Sequence, residues 1–147
     1  MDYFAAFNIS ASGMAVEKVR LETVATNLAN ANTTKGTDGS YYKPLRVISG
    51  PVSGAFEQQM STSGVSSSLP AGVQVLEVRP IDTGPRLVYE PNHPHADAKG
   101  MVAYPNINPV SEMVTLIEAT RAYEANVRAM NAAKTMALRA LEIGSNK

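Results

Sequence analysis

The chain has 147 residues, with 13 basic and 13 acidic side chains and a formal net charge of zero. That is one domain's worth of polypeptide, and the balance gives no electrostatic pull toward nucleic acid or an anionic membrane surface. It has no cysteine, which excludes disulfides and thiolate metal sites, and no run of 18 apolar residues that would read as a membrane-spanning helix.

The N-terminus, Met1-Asp2-Tyr3-Phe4, has no basic region followed by a long apolar stretch, so no cleaved secretory signal is expected. From about Phe7 to Ala31 the apolar residues fall at helical spacing. Phe7, Met14, Leu21 and Leu28 recur at steps of seven, Val24 and Ala31 add interleaved positions, and Ser10 and Glu17 interrupt the stripe. Gly13 weakens the first turns, which places the secure start of the helix near Met14. The polar run Asn30-Ala31-Asn32-Thr33-Thr34 competes for backbone hydrogen bonds and favours a stop.

The middle of the chain holds nearly every Pro and Gly. Lys35 to Ser40 is turn-rich, and Tyr41 to Ser49 reads as a strand that Pro44 marks as an edge. Glu57 to Pro70 is Ser-, Thr- and Gln-rich and reads as a flexible loop. Gly72 to Val78 alternates apolar and polar residues apart from Leu76, and Arg86 to Tyr89 is β-prone. The intervening Asp82-Thr83-Gly84-Pro85 is a turn, so these two strands are expected to pair as a hairpin. Pro91 to Pro109 reads as extended.

The C-terminal segment carries the stronger helical pattern. Asn108 suits an N-cap, Pro109 the first helical position and Gly144 the C-cap. Between them Met113, Leu116, Tyr123, Val127, Met130, Ala137 and Leu141 follow a seven-residue pattern, with Thr120 and Lys134 as polar interruptions. Such a helix is roughly 50 Å long, more than one face of a small globule requires. The expected fold is therefore mainly α with a small β insert. Segments 1–34 and 108–147 pair as a coiled coil around a β-rich middle, 35–107. Neither helix has an obvious intramolecular core, so both are expected to pack on each other and on neighbouring copies.

Candidate chemistry is sparse. His93, His95 and Asp97 form the compact set of metal-capable side chains, but no third ligand pattern or H-E-x-x-H helix completes a site. Asp82-Thr83-Gly84 lacks the second carboxylate of an aspartic-protease dyad and reads as a turn. Ser66, Ser67 and Ser68 have no paired base that the sequence identifies. No catalytic residue, cofactor or metal is expected.

Two stretches carry a resemblance. Residues Thr23 to Thr33 (Thr-Val-Ala-Thr-Asn-Leu-Ala-Asn-Ala-Asn-Thr) resemble the N-terminal signature of flagellar rod, hook and hook-associated proteins. Glu112-Met113-Val114, with Arg121 to Val127 (Arg-Ala-Tyr-Glu-Ala-Asn-Val), resembles their C-terminal signature. Leu87 to Pro91, Ala96 to Gly100 and Tyr104-Pro105-Asn106 look like a short proximal-rod member of that family. The resemblance implies a structural, non-enzymatic subunit of the bacterial flagellar basal body, exported without a cleaved signal through the flagellar type III apparatus. It would stack helically in the periplasmic rod with copies of itself, other rod proteins, and membrane-ring and hook-basal-body components. On that reading Met14, Leu21, Val24, Asn27, Leu28, Asn30, Asn32, Met113, Leu116, Tyr123, Asn126, Val127, Met130 and Leu141 are the assembly residues. Export recognition in the family uses a Phe followed four residues later by an apolar residue. Here Phe7 is followed by Ala11 and Phe4 by Asn8, which depart from that pattern. The rival readings are a small metal-dependent enzyme and a cytoplasmic coiled-coil adaptor.

Overall fold

The computed structural model describes residues 3–34, 40–52 and 72–145. The expected loop over 57–70, the serine run and most of the 35–40 turn lie outside the described residues. The order is a long helix α1 (Tyr3–Ala29), strands β1 (Leu45–Pro51), β2 (Val73–Pro80), β3 (Arg86–Tyr89) and β4 (Met101–Tyr104), and a second long helix α2 (Pro109–Ser145). Two helices with a small β insert are what the patterning called for.

Helix α1 starts well before Met14, so Gly13 does not delay it. The reason for a glycine there is contact, since a Cβ at Gly13 would lie 2.8 Å from Asn126 Oδ1 and 2.9 Å from its Nδ2. A methyl group at this point would require the Asn126 amide, held by its bond to the Ala122 carbonyl, to shift. Ala at position 13 would favour the helix by about 1 kcal/mol over Gly. We therefore expect Gly13→Ala to stabilise the chain by about that amount in an Asn126→Ala background, and to give no gain with Asn126 in place. Equal shifts of the thermal midpoint in both backgrounds would show that Asn126 does not limit the approach. The stop after Ala29 follows the polar run: Asn30 Nδ2 donates to the Thr26 carbonyl, and Thr33 Oγ1 donates to Asn30 Oδ1.

Helix α2 is 37 residues long, about 55 Å at the standard rise. Its start is the expected cap. Asn108 Oδ1 accepts from the Val110 and Ser111 amides at 3.0 and 3.4 Å, and Pro109 occupies the first position, where no N–H is needed. Its deepest residues differ from the expected seam by one position. Glu112, Ala119 and Ala133 are buried, and half-buried Asn126 completes the step of seven. Leu116, Met130 and Ala137 flank them half-buried, while Met113, Tyr123 and Leu141 are exposed. On α1 the buried positions are likewise Ser10, Val16, Thr23, Val24 and Asn27. Small and polar side chains let the backbones approach, which leaves the larger apolar residues on the shoulders or outside.

Strand pairing corrects one expectation. β2 pairs with β1, and β3 pairs with β4 in antiparallel register from Arg86 opposite Tyr104 to Tyr89 opposite Met101. No β2–β3 hairpin forms. The segment between them is bracketed by Pro80 and Pro85, which lack N–H donors, and it is held by the stretch before β1. The Ile81 amide donates to the Pro44 carbonyl, and Asp82 is gripped by Lys43 Nζ at 2.6 Å and the Tyr41 hydroxyl at 2.8 Å. These two donors, with the Gly84 amide, hold the Asp82 carboxyl at a pKa of about 2. A carboxyl lowered on folding stabilises above its unfolded pKa and loses that contribution as pH falls through the folded one. Asp82→Asn is thus expected to lower the thermal midpoint slightly at neutral pH. The difference from the parent should shrink between about pH 4 and pH 2. A constant difference across that range would assign the effect to something other than this carboxylate.

The segment expected to be extended, 91–109, instead contains β4 and the connection that closes the β3–β4 pair. Asp97 Oδ1 accepts from the Lys99 and Met101 amides, and the Glu90 amide donates to the Gly100 carbonyl. Gly100 has φ +75°, and a Cβ there would meet the Tyr89 ring at 2.9 Å. The described chain forms two compact units. Of the described residues, one draws on α1 through Val19, 49–52, 72–76 and the α2 residues from Ala119 onward; the other draws on 20–34, 40–48 and Glu77–Glu118.

Candidate assembly site

The second unit is organised around Asn27, which has no solvent exposure. Helix α1 carries it three residues before the polar run that ends the helix. A buried carboxamide must satisfy two donors and two acceptor sites. Asn27 does so completely. Its Nδ2 donates to the Leu45 carbonyl and to Glu112 Oε2, each at 3.0 Å. Its Oδ1 accepts from the Leu45 amide at 2.8 Å and the Tyr42 hydroxyl at 3.0 Å. The two bonds to Leu45 make the side chain act as a strand neighbour, pinning the first residue of β1 to the helix.

Glu112, in the first turn of α2, is 2% exposed. Its second oxygen, Oε1, is 2.6 Å from Arg46 Nη2, and the Arg46 side chain remains 43% exposed. A buried carboxylate is tolerable only when paired and hydrogen-bonded, and this one has both kinds of partner. Burial, and then the Glu112 charge, push the Tyr42 phenol above its usual pKa. The node therefore joins α1, the entry and start of β1, and α2 through five residues, Asn27, Tyr42, Leu45, Arg46 and Glu112. Both Glu112 oxygens are engaged, and beside Leu45 and Arg46 lies an open cleft of about 200 Å³ that Arg20, Thr23, Val24, Val47 and Thr115 also line.

The expected assembly residues divide by depth. Val24 and Asn27 are buried; Met14, Leu21, Leu28, Asn30, Leu116, Asn126, Val127 and Met130 are half-buried; Asn32, Met113, Tyr123 and Leu141 are exposed. Sequence reasoning missed Glu112, Arg46 and Tyr42. For Glu112 a signal existed, since an acid stands seven and twenty-one residues before Ala119 and Ala133, within the C-terminal signature. For Arg46 and Tyr42 there was none. The His93 and His95 rings meet edge-on with centroids 5.4 Å apart, but the polar atoms of the metal-capable set are engaged in other bonds. His95 Nδ1 lies 2.8 Å from Thr34 Oγ1, His93 Nδ1 accepts from the His95 amide, and Asp97 serves its turn. Among the described residues no three His, Asp or Glu side chains are grouped to hold a metal ion.

Residues 7–36, which include Asn27, match the family described as flagella basal body rod protein. Residues 98–143, which include Glu112, match the C-terminal family of flagellar basal body rod FlgEFG proteins. The chain is 41% identical to the flagellar basal-body rod protein FlgC of Bacillus subtilis, over 98% of this chain and 99% of that one. It is 42% identical to the FlgC of Aquifex aeolicus over 97% of each, and 36% identical to that of Escherichia coli over 94% and 95%. The chain belongs to the FlgC family of flagellar basal-body rod proteins. In this FlgC-family chain the buried node ties one matched region to the other, through a side-chain bond that spans 85 residues.

Proposed function

We propose that the chain is a structural subunit of the bacterial flagellar basal-body rod, polymerising helically with copies of itself and with other rod proteins. The observation that carries this beyond family membership is an apolar stripe that the subunit leaves outside. Val110, Met113, Val114 and Ile117 stand at i, i+3, i+4 and i+7 on α2, and all four are exposed. Further along the helix, Met136, Leu138, Leu141 and Ile143 are exposed too. A 37-residue helix with so little of its apolar surface covered is a poor investment for a lone subunit and a good one for a packed shaft. Helices of this length, packed on small seam residues, would supply the stiffness needed to carry torque from the motor to the hook.

In this reading the subunit resides in the periplasmic part of the basal body, reaches it through the flagellar type III export apparatus, and meets the membrane-ring and hook-basal-body components. The coiled-coil core would be formed by 1–34 and 108–147, with 35–107 facing outward. Among the described residues no helix is long and apolar enough to cross a membrane. The family is structural, which implies a non-enzymatic role.

The test is location. Basal bodies purified from a strain carrying a tagged chain are expected to retain it through detergent and salt washes, and deletion of the chain is expected to stop swimming. A protein recovered only from the cytoplasm would sink the rod reading and favour an adaptor. The His93→Ala, His95→Ala double variant is expected to swim nearly as the parent does. Complete loss of swimming, with metal bound to the purified parent, would favour the metal-dependent rival.

A further inference from the structure

The second unit also contains a polar cleft of about 350 Å³, lined in part by Asn32, Arg86, Asn106 and Asn108. We propose that this cleft receives the Glu118 carboxylate of a second copy of the chain. The proposal rests on the rod-subunit reading and names one contact within it.

Arg86 is the anchor. Its guanidinium carbon lies 5.6 Å from the centroid of the Tyr104 ring, and that ring is fixed by a 3.0 Å bond from its hydroxyl to Glu90 Oε2. Arg86 has no carboxylate within ion-pair distance among the described residues. A guanidinium over an aromatic ring is oriented without spending its in-plane N–H groups, the geometry that takes a carboxylate with two parallel bonds.

The rest of the lining includes three carboxamides that are little used. Asn32 makes no hydrogen bond among the described residues. Asn106 Nδ2 reaches only as far as the Thr83 carbonyl at 3.5 Å, a marginal contact. Asn108 spends its Oδ1 on the helix cap, which leaves its Nδ2 donors available. An ionised carboxylate is an acceptor only, so a cleft with one oriented cation and several N–H donors suits it better than a neutral or cationic group.

Charge complementarity within the chain points to the occupant. Glu118 is exposed and has no partner among the described residues. It follows directly on the uncovered stripe Val110, Met113, Val114 and Ile117. A copy that docked that stripe would present an unpaired acid at its edge, and acids at the rim of an apolar contact set orientation and register.

The experiment is a charge swap in a strain lacking the native chain. Arg86→Glu is expected to slow swim-ring expansion and reduce the subunit recovered in basal bodies by roughly two- to fivefold, the scale of one lost ion pair. Arg86→Glu combined with Glu118→Arg in the same chain is expected to restore both, because every copy then carries both complements. Arg86→Gln should fall between parent and Arg86→Glu; it decides the matter if the reversed variant melts more than about 2 °C below the parent. Arg79→Glu, an exposed site on β2 outside the cleft, should be neutral. The proposal is overturned if Arg86→Glu, or Arg86→Gln where the former misfolds, swims as the parent. It is overturned equally if Arg79→Glu matches the loss. A loss that the double swap fails to repair would assign the acid to another protein and overturn Glu118 as the occupant. A strain that swims without the chain at all would instead overturn the rod reading.

Discussion

Replacing Asn27 by Ala is expected to destabilise the chain by about 3–5 kcal/mol and to abolish swimming. The magnitude follows from what is left behind. The Leu45 amide, the Leu45 carbonyl, the Tyr42 hydroxyl and Glu112 Oε2 all lose their partner at once. Glu112 is 2% exposed, so water cannot readily replace the lost donor, and its carboxylate would keep only Arg46. An unsatisfied buried group costs about 1–3 kcal/mol and a half-broken buried charge pair more. Against a typical total of about 5–15 kcal/mol this is a large share of the stability. The informative control is Asn30→Ala, three residues on in the same signature. Its side chain donates to the carbonyl four residues back, an exposed contact, and accepts a long bond from Thr33 Oγ1, and the expected loss is about 0.5 kcal/mol or less. Urea unfolding of the purified chains, read alongside swimming, separates the two. Equal and small effects would mean that the node is not what holds the unit together.

Truncation immediately before Ala125 is the second large effect: swimming is expected to cease while the buried node survives. The deletion removes Asn126, whose side chain lies against Gly13, and Ala133, the last buried residue of α2 among the described residues. It leaves Asn27, Tyr42, Arg46 and Glu112 in place. The loss should therefore fall on assembly rather than on the local fold around Asn27. Amide exchange at Leu45, protected in the parent by Asn27 Oδ1, is expected to stay slow in the truncated chain. Normal swimming of that variant would contradict an assembly role for the distal half of α2. Fast exchange at Leu45 would show instead that the node depends on the missing turns.

The first of these predictions turns on a distinction between the two amides of one signature. Asn27 and Asn30 are equally polar and three residues apart, yet one is buried with four hydrogen bonds and the other, just past the end of α1, bonds only the Thr26 carbonyl and Thr33. Nothing in the local pattern separates them. The step of seven through Met14, Leu21 and Leu28 described a real stripe, but these residues are half-buried, and Val16, Val24 and Asn27 lie deeper. Periodicity reports that a helix has an apolar side. It does not report how close the partner backbone can come, and here small residues such as Gly13, Ala119 and Ala133 permit the close approach. Strand pairing failed for a related reason. A turn between two β-prone runs suggested a hairpin, whereas Lys43 and Tyr41 hold Asp82 and each run pairs elsewhere.

By itself the sequence determined the two long helices, the cap at Asn108, the stop after Ala29, the β character of the middle and, through two signatures, the family. These are local properties, set by side chains within a few residues of one another. The tertiary structure alone decided which face of each helix is buried, which strands pair, and that Asn27 and Glu112 meet across 85 residues of chain. A hydrogen bond between positions so far apart leaves no periodic trace. It exists because α1, the entry to β1 and the start of α2 are brought to one point, where a carboxamide and a carboxylate can be buried only by satisfying each other.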